Sequence, residues 1–159
     1  MTTTPPRMLE GYKVLDFTQF VAGPTCTRIL AEMGAEVIKV ELAPAGDRVR
    51  GGGLKPLKPE LKDSSASSYY LQHNHSKMSL AIDLKQPGAR ELVVKMLPKI
   101  DVLVENFAPG VIKRLGFDYE TVKKIKAARR LSYPSDNLFN EKFATVIWEI
   151  PVSQKTLWA

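Results

Sequence analysis

Residues 14–41, VLDFTQFVAGPTCTRILAEMGAEVIKVE, constrain this chain most, because they spell a strand, a turn, a helix and a second strand with almost no residues to spare. Val14 to Phe17 is an apolar run of the length and type of a buried parallel strand, and the polar Thr18-Gln19 ends it. Gly23-Pro24 sets up a helix start, since proline fits a first turn where its missing amide hydrogen would have no partner. Ile29, Leu30 and Met33 then recur at helical spacing, and Gly34 can take the left-handed conformation that closes a helix. Val37, Ile38 and Val40 form a β-branched strand running into Glu41. Such a βαβ crossover is right-handed, which puts the first loop and the helix N-terminus at the carboxyl edge of the sheet, where α/β proteins bind ligands.

The helix dipole and open amides at Val21 to Thr25 favour an anionic group there. Glu41 lies where a ribose-binding acid would, about 20 residues past the turn. The loop nevertheless has one glycine where the dinucleotide fingerprint needs three, which counts against a nicotinamide or flavin site. A net charge of +6 and a pI near 9.4 suit nucleic acid, an acidic membrane or a phosphorylated cofactor. The densest basic run, KKIKAARR at 123–130, has no interleaved aromatics or base-reading module, so it reads as a solvated face with cations at a helix C-terminus, and no nucleic acid partner is expected.

No stretch approaches the roughly 18 apolar residues of a membrane span, and the opening MTTTPPRM lacks a secretory core, so a cytoplasmic chain without a membrane partner is expected. Cys26 is the single cysteine, which excludes an internal disulfide and fits a reducing compartment; it reads as a small apolar residue of the first helix. His73 and His75 have no third ligand nearby, so they read as solvated loop histidines and no metal is expected.

Residues 44–68 are rich in Gly, Pro, Lys and Ser without periodicity and read as a long, mobile loop. Tyr69 to Gln72 fits a short helix or an extended piece. Ser79 to Leu84 reads as a strand with Leu80 and Ile82 on one face. Pro87 then opens a helix striped by Leu92, Val93, Met96 and Leu97 and ended by Pro98, before a buried strand at Val102 to Val104. Two βαβ units in tandem predict an α/β fold, a Rossmann-like parallel sheet with helices on both faces. The turn Glu105 to Gly110 repeats the logic of the first turn; a helix at Val111 to Leu115 follows, closed by Gly116, and Asp118 can cap another from Tyr119 to about Ala128. From Leu131 the character changes, although Phe143 to Val152 is β-prone.

LEGYKVLDFTQFVAGPTCTRILAEMGAEVIKVE, GD at 46–47, N-x-x-K-x-S at 74–79, IDLK at 82–85 and VLVENFAPGVIKRLGFDYE at 102–120 resemble the N-terminal part of a class III (CaiB/BaiF-type) CoA-transferase. The resemblance runs from Leu9 to Ile125 and stops after Ala127. It implies a nucleotide-binding-like domain at 1–128 and a divergent tail at 129–159, as from truncation or a reading-frame shift near codon 127. It also implies coenzyme A as substrate and carrier, acyl-CoA and a carboxylic acid as partners, and interlocked homodimers in full-length relatives, with looser self-association here. In the implied chemistry a carboxylate attacks the thioester carbonyl and expels CoA thiolate, and the thiolate then attacks the enzyme-side carbonyl of the resulting anhydride, releasing the donor carboxylate and leaving an enzyme thioester.

By the same resemblance, Gln19, Phe20, Val21 and Ala22 lie along the thiol end and pantetheine, while Asn106, Phe107, Arg114 and Leu115 hold the nucleotide portion. Lys77, Ile82 and Lys85 are further candidates, and Leu42 replaces a basic residue that some relatives set against the adenosine. No catalytic residue is assigned, because the family's tyrosine-aspartate segment would lie past Ala127; Asp16 reads instead as ordering the loop that follows it. Two alternatives remain open at this level, an α-methylacyl-CoA racemase of the same fold and a non-catalytic CoA-binding or interaction module.

Overall fold

The computed structural model describes residues 5–50, 67–125, 129–132 and 146–149, the last two as backbone strands alone. Strand β1 (Lys13–Asp16), helix α1 (Ala22–Glu32) and strand β2 (Glu36–Glu41) form the expected crossover, with Val14 beside Val37 and Leu15 beside Ile38 in parallel register. Gly34 closes α1 at a φ of +110°, and the Ala35 amide bonds back to the Leu30 carbonyl. Helix α2 (Ser68–Asn74), strand β3 (Met78–Ala81), helix α3 (Pro87–Met96) and strand β4 (Val102–Glu105) follow. Beyond them come helices α4 (Val111–Leu115) and α5 (Tyr119–Ile125) and strands β5 (Arg129–Ser132) and β6 (Val146–Glu149).

The sheet order is β3-β2-β1-β4-β6-β5. Its first four strands are parallel, as the tandem units predict, while β6 runs antiparallel to both β4 and β5. The β-prone tail therefore does add a strand. The chain winds outward from β1 to β3, and α3 then carries it back to lay β4 on the other side of β1. That reversal makes the β1/β4 boundary a topological switch point, where the loops leaving the two strands diverge and leave a crevice.

Strand alternation splits the core into two layers. Val14, Val37 and Val104 pack with Ala31 of α1 and Ala35 on one face. Leu15, Val40 and Leu103 pack on the other with Val93, Leu97, Phe117 and Val122, supplied by α3, α5 and their connections. Phe17 and Phe117 stack at 5.5 Å within this second layer. Each fully buried side chain of this size contributes about 1.5–3 kcal/mol. The same alternation puts Asp16, Lys39 and Glu41 on the α1 face at the carboxyl ends of their strands.

Several sequence expectations change. Tyr69 to Gln72 is part of α2, which starts one residue inside the expected loop because the Ser67 hydroxyl accepts the Tyr70 amide. His73 lies on that helix and is buried, so it is no solvated loop histidine; its ring meets Tyr69 edge-on at 4.9 Å and its Nδ1 lies 2.9 Å from the Thr25 hydroxyl. His75 is exposed as expected, 3.2 Å from Glu32. Residues 46–50 of the expected loop are tied to the sheet, as set out below, whereas 51–66 lie outside the described residues. Strand β3 ends at Ala81, short of the expected Leu84. Leu92 faces outward at 42% exposure, leaving Val93 and Leu97 as the buried part of the α3 stripe. The basic run is divided, since α5 ends at Ile125 and Arg129 and Arg130 belong to β5. Asp118 assists the start of α5 by accepting the Thr121 hydroxyl at 2.6 Å. Among the described residues no helix is long and apolar enough to cross a membrane, and no cluster of metal-ligating side chains occurs.

Candidate functional site

Two turns meet at the switch point. The Phe17 amide donates to the Val104 carbonyl at 2.8 Å, extending the β1–β4 pairing, and beyond it the Asn106 side chain accepts from the Gln19 amide at 2.8 Å and donates to the Gln19 carbonyl at 2.7 Å. Phe20 follows with φ at +68° and 42% exposure, and the Arg48 guanidinium sits 5.9 Å above its ring. Helix α1 begins two residues later without a side-chain cap. Its approach is tight, because a Cβ on Gly23 would collide with Thr18 and press on Asn106.

Below the turns, on the α3 face of the carboxyl edge, lies a cleft of about 160 Å³. Phe17, Val40, Ile82, Leu84, Phe107 and Leu115 give it largely apolar walls, and Gln19, Glu41, Leu42, Asp83 and Lys85 complete the lining. A flat apolar ring with polar edges suits such a slot.

The α1 face of the same edge is ionic and buried. Lys39 is fully buried and bonds to the Thr18 carbonyl at 2.7 Å, with Asp47 Oδ2 2.9 Å away. Glu41 accepts two bonds from Arg50 at 2.6 Å each, and further bonds from the Tyr70 hydroxyl, the Ser79 hydroxyl and the Asp47 amide at 2.8 Å. Burial pushes the Glu41 carboxyl up, but the Arg50 bonds and then those from Asp47, Ser79 and Tyr70 prevail and bring it down to about 2. Burial, reinforced by Glu41, raises the Tyr70 hydroxyl, and Arg50 stacks 3.8 Å over the Tyr70 ring. This cluster ties residues 46–50 and α2 to the end of β2.

Asp16 anchors the neighbouring cluster. Its carboxylate accepts the Thr18 amide at 2.8 Å and the Thr18 hydroxyl, the Thr27 hydroxyl at 2.6 Å and the Lys77 ammonium at 3.1 Å. Asp16 thus orders the loop after β1, as the sequence suggests. Lys77 also donates to the Pro24 carbonyl and the Asn74 side chain, both at 2.9 Å. Burial, with Lys39 adding to it and Asp16 opposing, lowers the Lys77 ammonium to about 8. Burial and then Asp16 raise the thiol of Cys26. Burial, followed by Arg28 and Lys77, depresses His73.

Of the sequence candidates, the cleft gathers Gln19, Ile82, Lys85, Phe107 and Leu115. Phe20, Val21 and Ala22 sit exposed at the mouth of α1. Asn106 spends its amide on Gln19, Arg114 is exposed on α4, and the Lys77 side chain is 1% exposed with its ammonium turned toward Asp16. Sequence reasoning missed Lys39, Arg50 and Tyr70. A signal did exist for the first: Lys39 and Glu41 share strand parity with the buried Val37, which predicts charges on a covered face.

Paired turns at a switch point beside an apolar slot are the arrangement in which α/β proteins bind their ligands. The profile of CoA-transferase family III matches residues 9–129. The chain belongs to CoA-transferase family III. Over 121 residues it is 43% identical to the formyl-CoA:oxalate CoA-transferase of Afipia carboxidovorans, covering 75% of this chain and 27% of that protein. The Bradyrhizobium sp. protein of the same name is 44% identical over the same shares. Among solved structures, Rv3272 from Mycobacterium tuberculosis superimposes at a TM-score of 0.67 with 35% identity, over 77% of this chain and 32% of that one. A CaiB/BaiF family protein from Brucella suis does so at 0.66 with 33% identity, over 76% and 31%. The chain therefore spans about a quarter of the length of the curated relatives it matches.

Proposed function

We propose that residues 1–128 form the CoA-binding portion of a class III acyl-CoA:carboxylate CoA-transferase, with an acyl-CoA and a carboxylic acid as its substrates. The observation that carries this reading is the cleft itself: residues distant in sequence, Gln19, Ile82, Lys85, Phe107 and Leu115, converge on one slot at the carboxyl edge. Its apolar walls suit adenine, while Lys85 and the exposed Arg114 and Arg48 offer charge-assisted bonds to phosphates. The turn at Gln19 to Ala22 is left to the pantetheine arm and thioester. The transferase names of the curated relatives favour transfer over racemisation.

Transfer needs a carboxylate free to attack a thioester carbonyl. Asp16 and Glu41, two acids at this edge, are buried and saturated with donors, so their oxygens are committed to holding the loops. They serve as scaffold in this reading, and neither is assigned as the attacking carboxylate.

Calorimetric titration with CoA, dephospho-CoA and adenosine tests the binding half. CoA should bind more tightly than dephospho-CoA, and Lys85→Met should narrow that gap by weakening CoA about ten- to hundredfold, the loss of one charge-assisted bond. No binding of any of the three would refute the reading. Incubation with an acyl-CoA and a labelled acid, followed by mass spectrometry, separates a transferase chain, which forms labelled thioester, from a binding module, which does not.

A further inference from the structure

We infer that Lys77 is a positioning residue for the loop between β1 and α1, setting where residues 18–24 lie without touching the ligand. Its contribution to CoA affinity rests on the CoA-binding reading; its control of the loop does not.

The argument is geometric. Lys77 enters from the turn before β3, far from the loop in sequence, and its side chain is 1% exposed. One ammonium joins three elements: Asp16 at the end of β1, the Pro24 carbonyl in the first turn of α1, and Asn74 at the end of α2. Pro24 is the key partner. A carbonyl in a helix's first turn normally accepts only from within the helix, so a cation on it fixes the helix end against the sheet. Asp16 grips the other end of the same loop through the Thr18 amide and reaches α1 again through the Thr27 hydroxyl. Lys39 holds the Thr18 carbonyl from beneath. The loop is thus clamped at Thr18 and at Pro24, and Lys77 with Asp16 is the bridge between the clamps. Residues 19–22, the stretch facing ligand in the reading above, hang between them.

A phosphate-binding role does not fit this placement. The ammonium is enclosed by Asp16, Asn74 and the Pro24 carbonyl, with Lys39, Asp47, Cys26 and His73 as the other titratable groups around it. It has no open side toward the cleft, whose lining does not include Lys77.

The test compares the whole chain with its Lys77→Met and Lys77→Arg variants in two assays, amide hydrogen exchange and titration with CoA and dephospho-CoA. Lys77→Met should speed exchange at residues 18–25 while leaving amides of α3 and β4 at wild-type protection, and should weaken both ligands by the same factor, about ten- to hundredfold. Lys77→Arg, which keeps the charge, should restore part of the protection. Unchanged exchange at 18–25 in the Met variant overturns the inference. A selective loss of CoA over dephospho-CoA also overturns it, because that marks direct phosphate contact. If the wild type binds neither ligand while exchange still quickens in the Met variant, the CoA reading falls and the positioning role stands. If Lys77→Met fails to fold, Asn74→Ala, which removes one partner of the ammonium, decides the same question: raised exchange confined to 18–25 supports the bridge, and unchanged exchange refutes it.

Discussion

Asn106 and Gln19 clasp each other across the switch point, the side-chain amide of one making both backbone bonds of the other at 2.8 and 2.7 Å. A side chain here continues the β1–β4 ladder past its last backbone pair, so the two turns are tied together. Asn106→Ala leaves both Gln19 groups without this partner and should cost about 1–3 kcal/mol. Asn106→Asp keeps the acceptor for the Gln19 amide but sets a carboxylate oxygen against the Gln19 carbonyl, two acceptors face to face, so it should cost no less. Urea unfolding at unchanged m-value reports both.

Gly23 is required by space. A Cβ there would collide with the Thr18 side chain and press on Asn106. Thr18 is held by both Asp16 and Lys39 and cannot give way cheaply. Gly23→Ala should therefore destabilise by about 1–3 kcal/mol, the usual cost of overpacking, even though alanine favours helix more than glycine does. Gly88, at the start of α3, faces open space, so Gly88→Ala should be neutral or stabilising in the same assay.

Glu41 makes stability depend on acid. Its carboxyl is held at about 2 in the fold against an ordinary 4.5, so the folded state disfavours the proton. The stabilisation is fully present above 4.5 and is lost as the pH falls toward 2. Glu41→Gln should thus be most damaging near neutrality, and the gap to wild type should shrink through that window. Denaturation midpoints at a series of pH values measure the gap.

Cys26 should react slowly. Its thiol is partly buried and shifted upward by burial and by Asp16, which lowers the thiolate fraction at neutral pH. Alkylation by iodoacetamide should be slower in the folded chain than in urea. Equal rates would show the α1–sheet contact to be open.

Local chemistry made much of this legible. The β-branched run at Val37 to Val40, Gly34 after the first helix and Pro87 before the third each state their element in a few residues. The strand order is less local, since nothing near Val102 says that β4 lies beside β1 instead of β3; that follows from how α3 packs. His73 was misread because its burial comes from α2 docking on α1 through Thr25, a contact across many residues. Lys77 stands in a motif that suggests an anion binder, and only the fold reveals Asp16 and the Pro24 carbonyl around its ammonium. The antiparallel β6 was legible only as β-prone sequence, because pairing direction depends on the path of residues between the strands.

The central claim is that CoA occupies the slot at the carboxyl edge, and a residue-resolved map of ligand contact tests it most directly. In an amide correlation spectrum of the isotopically labelled chain titrated with CoA, the shifts should concentrate at Gln19, Ile82, Lys85, Phe107 and Leu115, with smaller changes at Phe20 to Ala22. Shifts confined to the opposite, amino edge of the sheet, around Arg7, Lys13 and Glu36 in the groove there, would contradict it.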